Sequence, residues 1–215
     1  MGDKIAVLSQ KGGPGKTSIA RALAVAFAGA GWQTEIADMD IDQGTATAWQ
    51  QRRLRGGFEP VITVRQFGNV GQALSKADGC DMLIFDGAPH ATKATAAMAA
   101  AANLVVIPTG LALDDLEPAV TLANALHDRE GIQAERIVFV INQTGSSTLE
   151  IDEARDYLRK TRFDVLDGAI PKKPAFSRAH DIGLSMIEAQ YKGPRDQATQ
   201  VIRAAIARYE ALAAK

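Results

Sequence analysis

One cysteine in 215 residues, Cys80, leaves no disulfide framework within the chain and no Cys-rich metal cluster. So sparing a use of cysteine suits a reducing compartment. Charge of one sign is also missing: 24 Lys and Arg against 25 Asp and Glu give a net −1. Any contact with nucleic acid or an acidic membrane surface therefore needs a local patch. The longest apolar run, around Ala94 to Ile107, is interrupted by Asn103 and is too short to span a bilayer. The three histidines, His90, His127 and His180, share no metal-ligand spacing. No signal peptide is read ahead of the first strand, and no repeat, linker or low-complexity break divides the chain. The expectation is one cytoplasmic, soluble domain over residues 1–215, without integral membrane association.

What is present is an ordinary globular composition, 47% apolar and 23% charged, sufficient for a sizeable core. Short β-branched runs alternate with Ala-rich helical stretches. The predicted strands are Lys4–Ser9, Thr34–Asp38, Val61–Gln66, Met82–Asp86, Leu104–Pro108, Arg136–Asn142 and Val165–Ile170. The predicted helices are Lys16–Gly29, Gly44–Leu54, Val70–Lys76, Ala91–Ala101, Leu116–Glu130, Thr148–Thr161 and Arg195–Ala214. Runs such as "MLIF", "LVVIP" and "IVFVI" are apolar throughout, as strands covered on both faces of a parallel sheet must be. The alternation predicts an α/β fold: a doubly wound, mostly parallel sheet of about seven strands flanked by helices.

Three segments carry chemistry. In "LSQKGGPGKTS", a strand, a glycine-rich turn and a helix follow one another, the setting of a phosphate-binding loop. Gly12, Gly13 and Gly15 let backbone N–H groups curl around an anion, and the helix starting near Lys16 points its positive end at the same place. Lys16 is placed to reach β- and γ-phosphates, and the Thr17 hydroxyl, beside Ser18, to bind Mg²⁺. Two departures stand out: Gln10 replaces the first glycine of G-x-x-x-x-G-K-[ST], and Lys11 adds a second lysine. Pro14 removes one N–H donor.

In "EIADMDIDQG", Asp38 and Asp40 fall at the carboxyl end of a strand, where ligands bind in this architecture. Asp40 is read as orienting a water or a metal-bound water. Asp42 is read as a helix cap, a role also open to Asp38. In "DMLIFDGAPH", four apolar residues deliver Asp86 toward a Mg²⁺ shell, with Gly87 and Pro89 suiting a sharp exit. His90 follows this strand and is read as an ordinary polar surface residue.

Taken together, "QKGGPGKT", "DMDIDQGTATAW", "LIFDGAP", "VVIPTGLALDDL", "FVINQ" and "AIPKKPAFSRAHDIGLSMIE" resemble the deviant Walker A ATPases of the ParA/MinD family, from residue 4 to about 190. The resemblance implies a P-loop NTPase fold, ATP and Mg²⁺ as cofactors, and hydrolysis of ATP. It implies that Lys11 reaches across a nucleotide-sandwich homodimer to the partner's phosphates, and that Asp40 activates the attacking water. It implies that Thr17, Asp40 and Asp86 serve the Mg²⁺ shell, that Asn142 contacts adenine and that Pro171 lines the base pocket. Where the family has Pro-Gln after its second aspartate, this chain has Ile41-Asp42-Gln43, which leaves the geometry around Asp40 open.

Within the family, a single cysteine argues against an iron–sulfur reductase. The loop lysine argues against a small-molecule ligase such as dethiobiotin synthetase. The tail "QVIRAAIARYEALAAK" reads as a packed last helix more than as a MinD-like membrane anchor. No N-terminal helix-turn-helix is read. The resemblance is thus to the short ParA type: a cytoplasmic switch, nucleoid-associated when ATP-bound, binding DNA non-specifically and stimulated by a ParB-like or cargo-adaptor protein. Candidate phosphate contacts are Arg52, Arg53, Arg55, Lys172, Lys173, Arg178, Lys192, Arg195 and Arg203.

Overall fold

The computed structural model describes residues 2–41, 43–77, 79–88 and 93–214. Within them lie strands β1 (Asp3–Val7), β2 (Thr34–Asp38), β3 (Thr63–Gln66), β4 (Met82–Asp86), β5 (Leu104–Thr109), β6 (Ile137–Thr144), β7 (Asp164–Val165) and β8 (Ile170–Pro171). The α-helices are α1 (Lys16–Gly29), α2 (Thr45–Arg55), α3 (Val70–Lys76), α4 (Lys93–Ala101), α5 (Leu113–Asp128), α6 (Thr148–Arg159), α7 (Pro174–Ile182) and α8 (Lys192–Ala213).

All pairings are parallel, in the order β3-β2-β4-β1-β5-β6-β7, with β8 also pairing β6. The expected doubly wound parallel sheet is therefore present. Its apolar runs are buried on both faces because successive side chains point to opposite sides. Ile5 and Val7 of β1 join the core beneath α1, α2, α7 and α8. Ala6 and Leu8 join the core beneath α3, α4, α5 and α6.

Three expectations need correction. The last predicted strand, Val165–Ile170, is two short strands instead, because Gly168 at φ 84° turns the chain between them. The helix α7 was missed by periodicity, although Pro174 in its first turn and Gly183 just after its end are the usual boundary residues. Gly183 adopts φ 93°, and a Cβ there would sit 2.2 Å from the Arg53 backbone nitrogen, so α7 can abut α2 only with glycine.

The third correction is Arg53, one of the candidate DNA contacts. It is 1% exposed and all five of its N–H donors are spent. They reach the carbonyls of Pro60, Glu59 and Gly183 at 2.9, 2.8 and 3.1 Å and both carboxylate oxygens of Glu188 at 3.0 and 2.9 Å. Arg53 joins α2 to the segment after α7 and has nothing left for a phosphate.

The last helix reads as expected. Ala198, Val201, Ile202, Ala205 and Tyr209 of α8 are buried against the sheet, so its apolar stripe is used in the core. Among the described residues, no helix is long and apolar enough to cross a membrane.

Replacing Arg53 by Ala strands the Glu188 carboxylate and three carbonyls, and should cost about 3 kcal/mol in urea unfolding. Arg55→Ala, on an exposed side chain, should stay within about 0.5 kcal/mol of the parent. A similar small cost for both would contradict a structural Arg53.

Candidate functional site

Strand register builds the floor of the site. Val7 pairs with Asp86, and Asp86 pairs with Asp38, so the ends of β1, β4 and β2 lie level at the carboxyl edge of the sheet. The loop joining β1 to α1 rises over this edge. Gly13 and Gly15 take φ 97° and 99°, the left-handed conformation that side chains disfavour. A Cβ on Gly15 would also come within 2.1 Å of the Asn142 amide nitrogen. Helix α1 starts here with no side-chain cap and no acidic residue in its first turn, so its leading N–H groups remain free for an anion.

These elements enclose a cavity of about 480 Å³ lined by Gly12, Gly13, Gly15, Lys16, Thr17 and Ser18, with Asp40 and Gln43 across from the loop. Lys16 is 7% exposed, and its ammonium donates to the Lys11 carbonyl at 3.0 Å. Burial lowers its pKa, while the nearby Asp86 and Asp40 carboxylates oppose that shift.

Asp86 is 1% exposed, and among the described residues neither of its carboxylate oxygens has a well-formed hydrogen bond, although the Thr17 hydroxyl lies close enough to act on it. Burial pushes its carboxyl up to about 7; the Thr17 hydroxyl lowers it, Asp38 raises it, and Arg21 and Lys16 lower it. A buried carboxylate with two idle oxygens beside a threonine hydroxyl fits a hard cation that takes oxygen ligands. Among the described residues no group of three or more His, Cys, Asp or Glu is arranged to hold a metal. A cation here would complete its shell with water and ligand oxygens, as Mg²⁺ at phosphates does.

Asp38 and Asp40 have separate places. Asp38 is fully buried and accepts from the Asp40 N–H at 3.2 Å and from the N–H and hydroxyl of Thr47 at 3.4 and 3.3 Å. It thus holds the first turn of α2 from the end of β2, although the cap position itself, read as one option for it, is taken by Gly44. Asp40 is half-buried, faces the cavity, and accepts from the Gln43 N–H at 3.2 Å in a turn closed by the Gly44 N–H on the Asp40 carbonyl. Within Ile41-Asp42-Gln43, Ile41 is 53% exposed and Gln43 lines the cavity. Asp42, Pro89 and His90 lie outside the described residues.

Lys11 points elsewhere. Its ammonium donates to the Asp115 carboxylate at 2.9 Å and to the Asp114 carbonyl at 2.7 Å, on the outer side at the start of α5. Both side chains of this ion pair are exposed, at 43% and 36%.

A second chamber of about 270 Å³ adjoins the first and shares Gly15, Ser18, Ser177 and His180 with it. Asn142 and Pro171 line it with Phe176, so both residues read as base contacts are brought to one place. Asn142 also donates to the Pro14 carbonyl at 2.5 Å. A proline lacks the N–H but keeps the carbonyl, and that carbonyl is the group this structure uses.

Arg21 and His180 line the first cavity and were not anticipated, and Arg52, read as a candidate DNA contact, lines it with them. Arg21 interrupts the buried run Ile19–Val25 of α1, and a charge in an apolar helix face was the signal available. It donates to the Thr45 carbonyl at 2.5 Å and lies 5.5 Å from the Trp49 ring centre. Burial lowers its pKa to about 10. Burial and the adjacent Arg21 and Arg52 push His180 down to about 4, so its imidazole is neutral. Nothing in its spacing from other histidines marked it, because it comes from the missed helix α7.

The family model of the CobQ/CobB/MinD/ParA nucleotide-binding domain matches residues 5–186. The chain is 29% identical over 195 residues to the maintenance of carboxysome distribution protein A of Gloeobacter kilaueensis, covering 89% of this chain and 87% of that protein. The septum site-determining protein MinD of Pyrococcus horikoshii OT3, solved with Mg-ADP, superposes with a TM-score of 0.72 at 16% identity, over 95% of each chain. A Cyanothece McdA variant solved as an ATP complex gives a TM-score of 0.69 at 15% identity, over 94% of this chain and 96% of that one. At these identities the structural likeness is one of fold.

The buried Asp86 makes a pH-dependent prediction. An aspartate titrates near 3.9 in an unfolded chain, and here at about 7. Between those values the folded state keeps a proton that the unfolded state has lost, so stability falls as pH rises. Asp86→Asn removes this loss. Urea unfolding at about pH 8 should find the nucleotide-free variant more stable by roughly 4 kcal/mol, with no gain at about pH 4. Equal stabilities at the higher pH would contradict the buried, unpartnered carboxylate. The chain belongs to the CobQ/CobB/MinD/ParA family of nucleotide-binding domains.

Proposed function

We propose that this protein is a ParA-type ATPase, an ATP-dependent dimerisation switch that hydrolyses ATP to position or segregate a cellular cargo. The observation that carries the reading is the divergence of the two loop lysines. Lys16 is buried in the cavity, while Lys11 is turned outward and, among the described residues, its ammonium is held by an exposed pair with Asp115 and one carbonyl. An exposed ion pair of this kind is worth about 0–1 kcal/mol. It costs little to exchange Asp115 for the phosphates of a second subunit's nucleotide, which carry more charge.

In this reading the triphosphate lies in the larger cavity on the N–H groups of Gly12, Gly13 and Gly15 and the leading N–H groups of α1. The base enters the chamber lined by Asn142 and Pro171. Thr17, with Asp86 behind it and Asp40 opposite, is set to hold Mg²⁺ and its waters; the ion when bound would neutralise charge on the phosphates. Lys16 supplies positive charge at the β- and γ-phosphates. Asp40, half-buried and across the cavity from the loop, orients the attacking water. The Mg-ADP and ATP complexes of the MinD and McdA relatives support these cofactors.

The carboxysome-distribution relative supports a positioning role, with a cargo adaptor or ParB-like protein as the stimulating partner. The absence of a spare apolar face on α8 favours this over a membrane-anchored mode. Non-specific DNA binding by the ATP-bound dimer is assigned to exposed cations: Arg55, Arg178 and Arg203 on the helices, with Lys172 and Lys173 before α7. Arg53 is removed from that set. Lys192 is paired with Asp196, Arg195 donates to the Ala189 carbonyl, and Arg52 donates to the His180 carbonyl beside the cavity. The whole chain is read as one ATPase domain.

Lys11→Ala should abolish ATP-dependent dimerisation in light scattering, while the monomer keeps ATP affinity to within about threefold, since Lys11 does not face its own cavity. A variant that dimerises normally with ATP would overturn the switch.

A further inference from the structure

The β6–β8 ladder contains one residue too many on the β6 side. Asn142 pairs with Ile170 and Thr144 with Pro171, which leaves Gln143 without a partner between them. Gln143 is also the one residue other than glycine with positive φ, 56°, among the described residues. A bulge at the edge of a site re-aims a side chain, and a left-handed glutamine is a conformation the surroundings must maintain. The side chain so aimed donates to the Gly13 carbonyl in the phosphate loop. Its neighbour Asn142 donates to the next carbonyl, that of Pro14, at 2.5 Å.

We propose that Gln143 is a positioning residue for the phosphate loop, the bulge aiming its amide at the Gly13 carbonyl so that the loop is held open for an anion. A carbonyl oxygen turned into the cavity would repel a phosphate. Tying two successive carbonyls to amide donors on β6 keeps those oxygens on the sheet side. The neighbouring N–H groups and the first turn of α1 then face the ligand. Pro14 fits the same design, because a residue whose carbonyl is clamped and whose φ is fixed gives the loop fewer alternative shapes. Gln143 also lines the second chamber beside Asn142, but with its amide spent on the Gly13 carbonyl it acts through the loop and touches no reacting atom.

This inference rests on the nucleotide-binding reading above. It is tested by titrating the full-length protein with ATP, ADP and adenosine, using the parent, Gln143→Gly and Gln143→Glu. Glycine keeps the left-handed backbone and removes the amide; glutamate keeps the shape but replaces the donor with an acceptor. Affinity for ATP and ADP should fall about three- to tenfold in Gln143→Gly, and further in Gln143→Glu. Adenosine affinity and the melting temperature without nucleotide should stay at parental values. Unchanged ATP affinity in both variants overturns the clamp while leaving the nucleotide site intact. Adenosine affinity falling in proportion to ATP overturns it too, by placing Gln143 at the base. A parent protein that binds none of the three overturns the nucleotide reading itself, and the clamp with it.

Discussion

The level ends of β1, β4 and β2 constrain everything above them. Parallel register sets Val7, Asp86 and Asp38 side by side at the carboxyl edge, which forces two carboxylates into the interior beneath a helix N-terminus. A buried charge is tolerated only with compensation. Asp38 has it from the N–H groups of Asp40 and Thr47, and so organises the start of α2. Asp86, without a well-formed hydrogen bond among the described residues, has only the nearby Thr17 hydroxyl and the charges of Arg21 and Lys16. The site therefore carries a standing electrostatic deficit, which a cation and a polyphosphate would offset together. Such local instability is a common cost of function.

The two loop lysines answer to different energies. Lys16 is buried, and the Asp86 and Asp40 carboxylates offset part of the cost of burying its charge. Lys11 lies on the outside, where water screens its pair with Asp115 and the contact can be exchanged cheaply. Replacing the first glycine of an ordinary phosphate loop by Gln10-Lys11 thus leaves the anion cradle in place and adds a charge that faces outward. Asn142 and Gln143 hold the loop from below, so the nucleotide chambers and the dimer-facing lysine belong to one braced segment.

Much of this was legible in the residues. Continuous apolar runs gave the parallel strands, and α1 and α3 fall where their periodicity put them, since apolar spacing and burial follow the same face. The loop, Asp40 and Asp86 converge because motif order along the chain fixes their place at one sheet edge. The illegible parts depend on long-range contacts. Nothing local tells that three of the five Arg53 bonds reach Gly183 and Glu188 far along the chain, while Arg55 two positions later is exposed. Helix α7 starts on Pro174, three residues after Pro171, a spacing that reads as loop, and with it His180 was lost from the site. Strand β8 is two residues long, below what alternation can signal, and the bulge it imposes on Gln143 exists only as a mismatch between two strands.

The central claim is that Lys11 completes the site of a second subunit, and mixing two inactive variants tests it most directly. Lys11→Ala and Asp40→Ala are each expected to lose hydrolysis. In a mixed dimer, the Lys11→Ala subunit keeps Asp40 and receives Lys11 from its partner, so one of the two sites is whole. Phosphate release from the mixture should recover toward about half of the parental rate per mixed dimer. A mixture as inactive as the separate variants would place Lys11 at its own nucleotide and contradict the account.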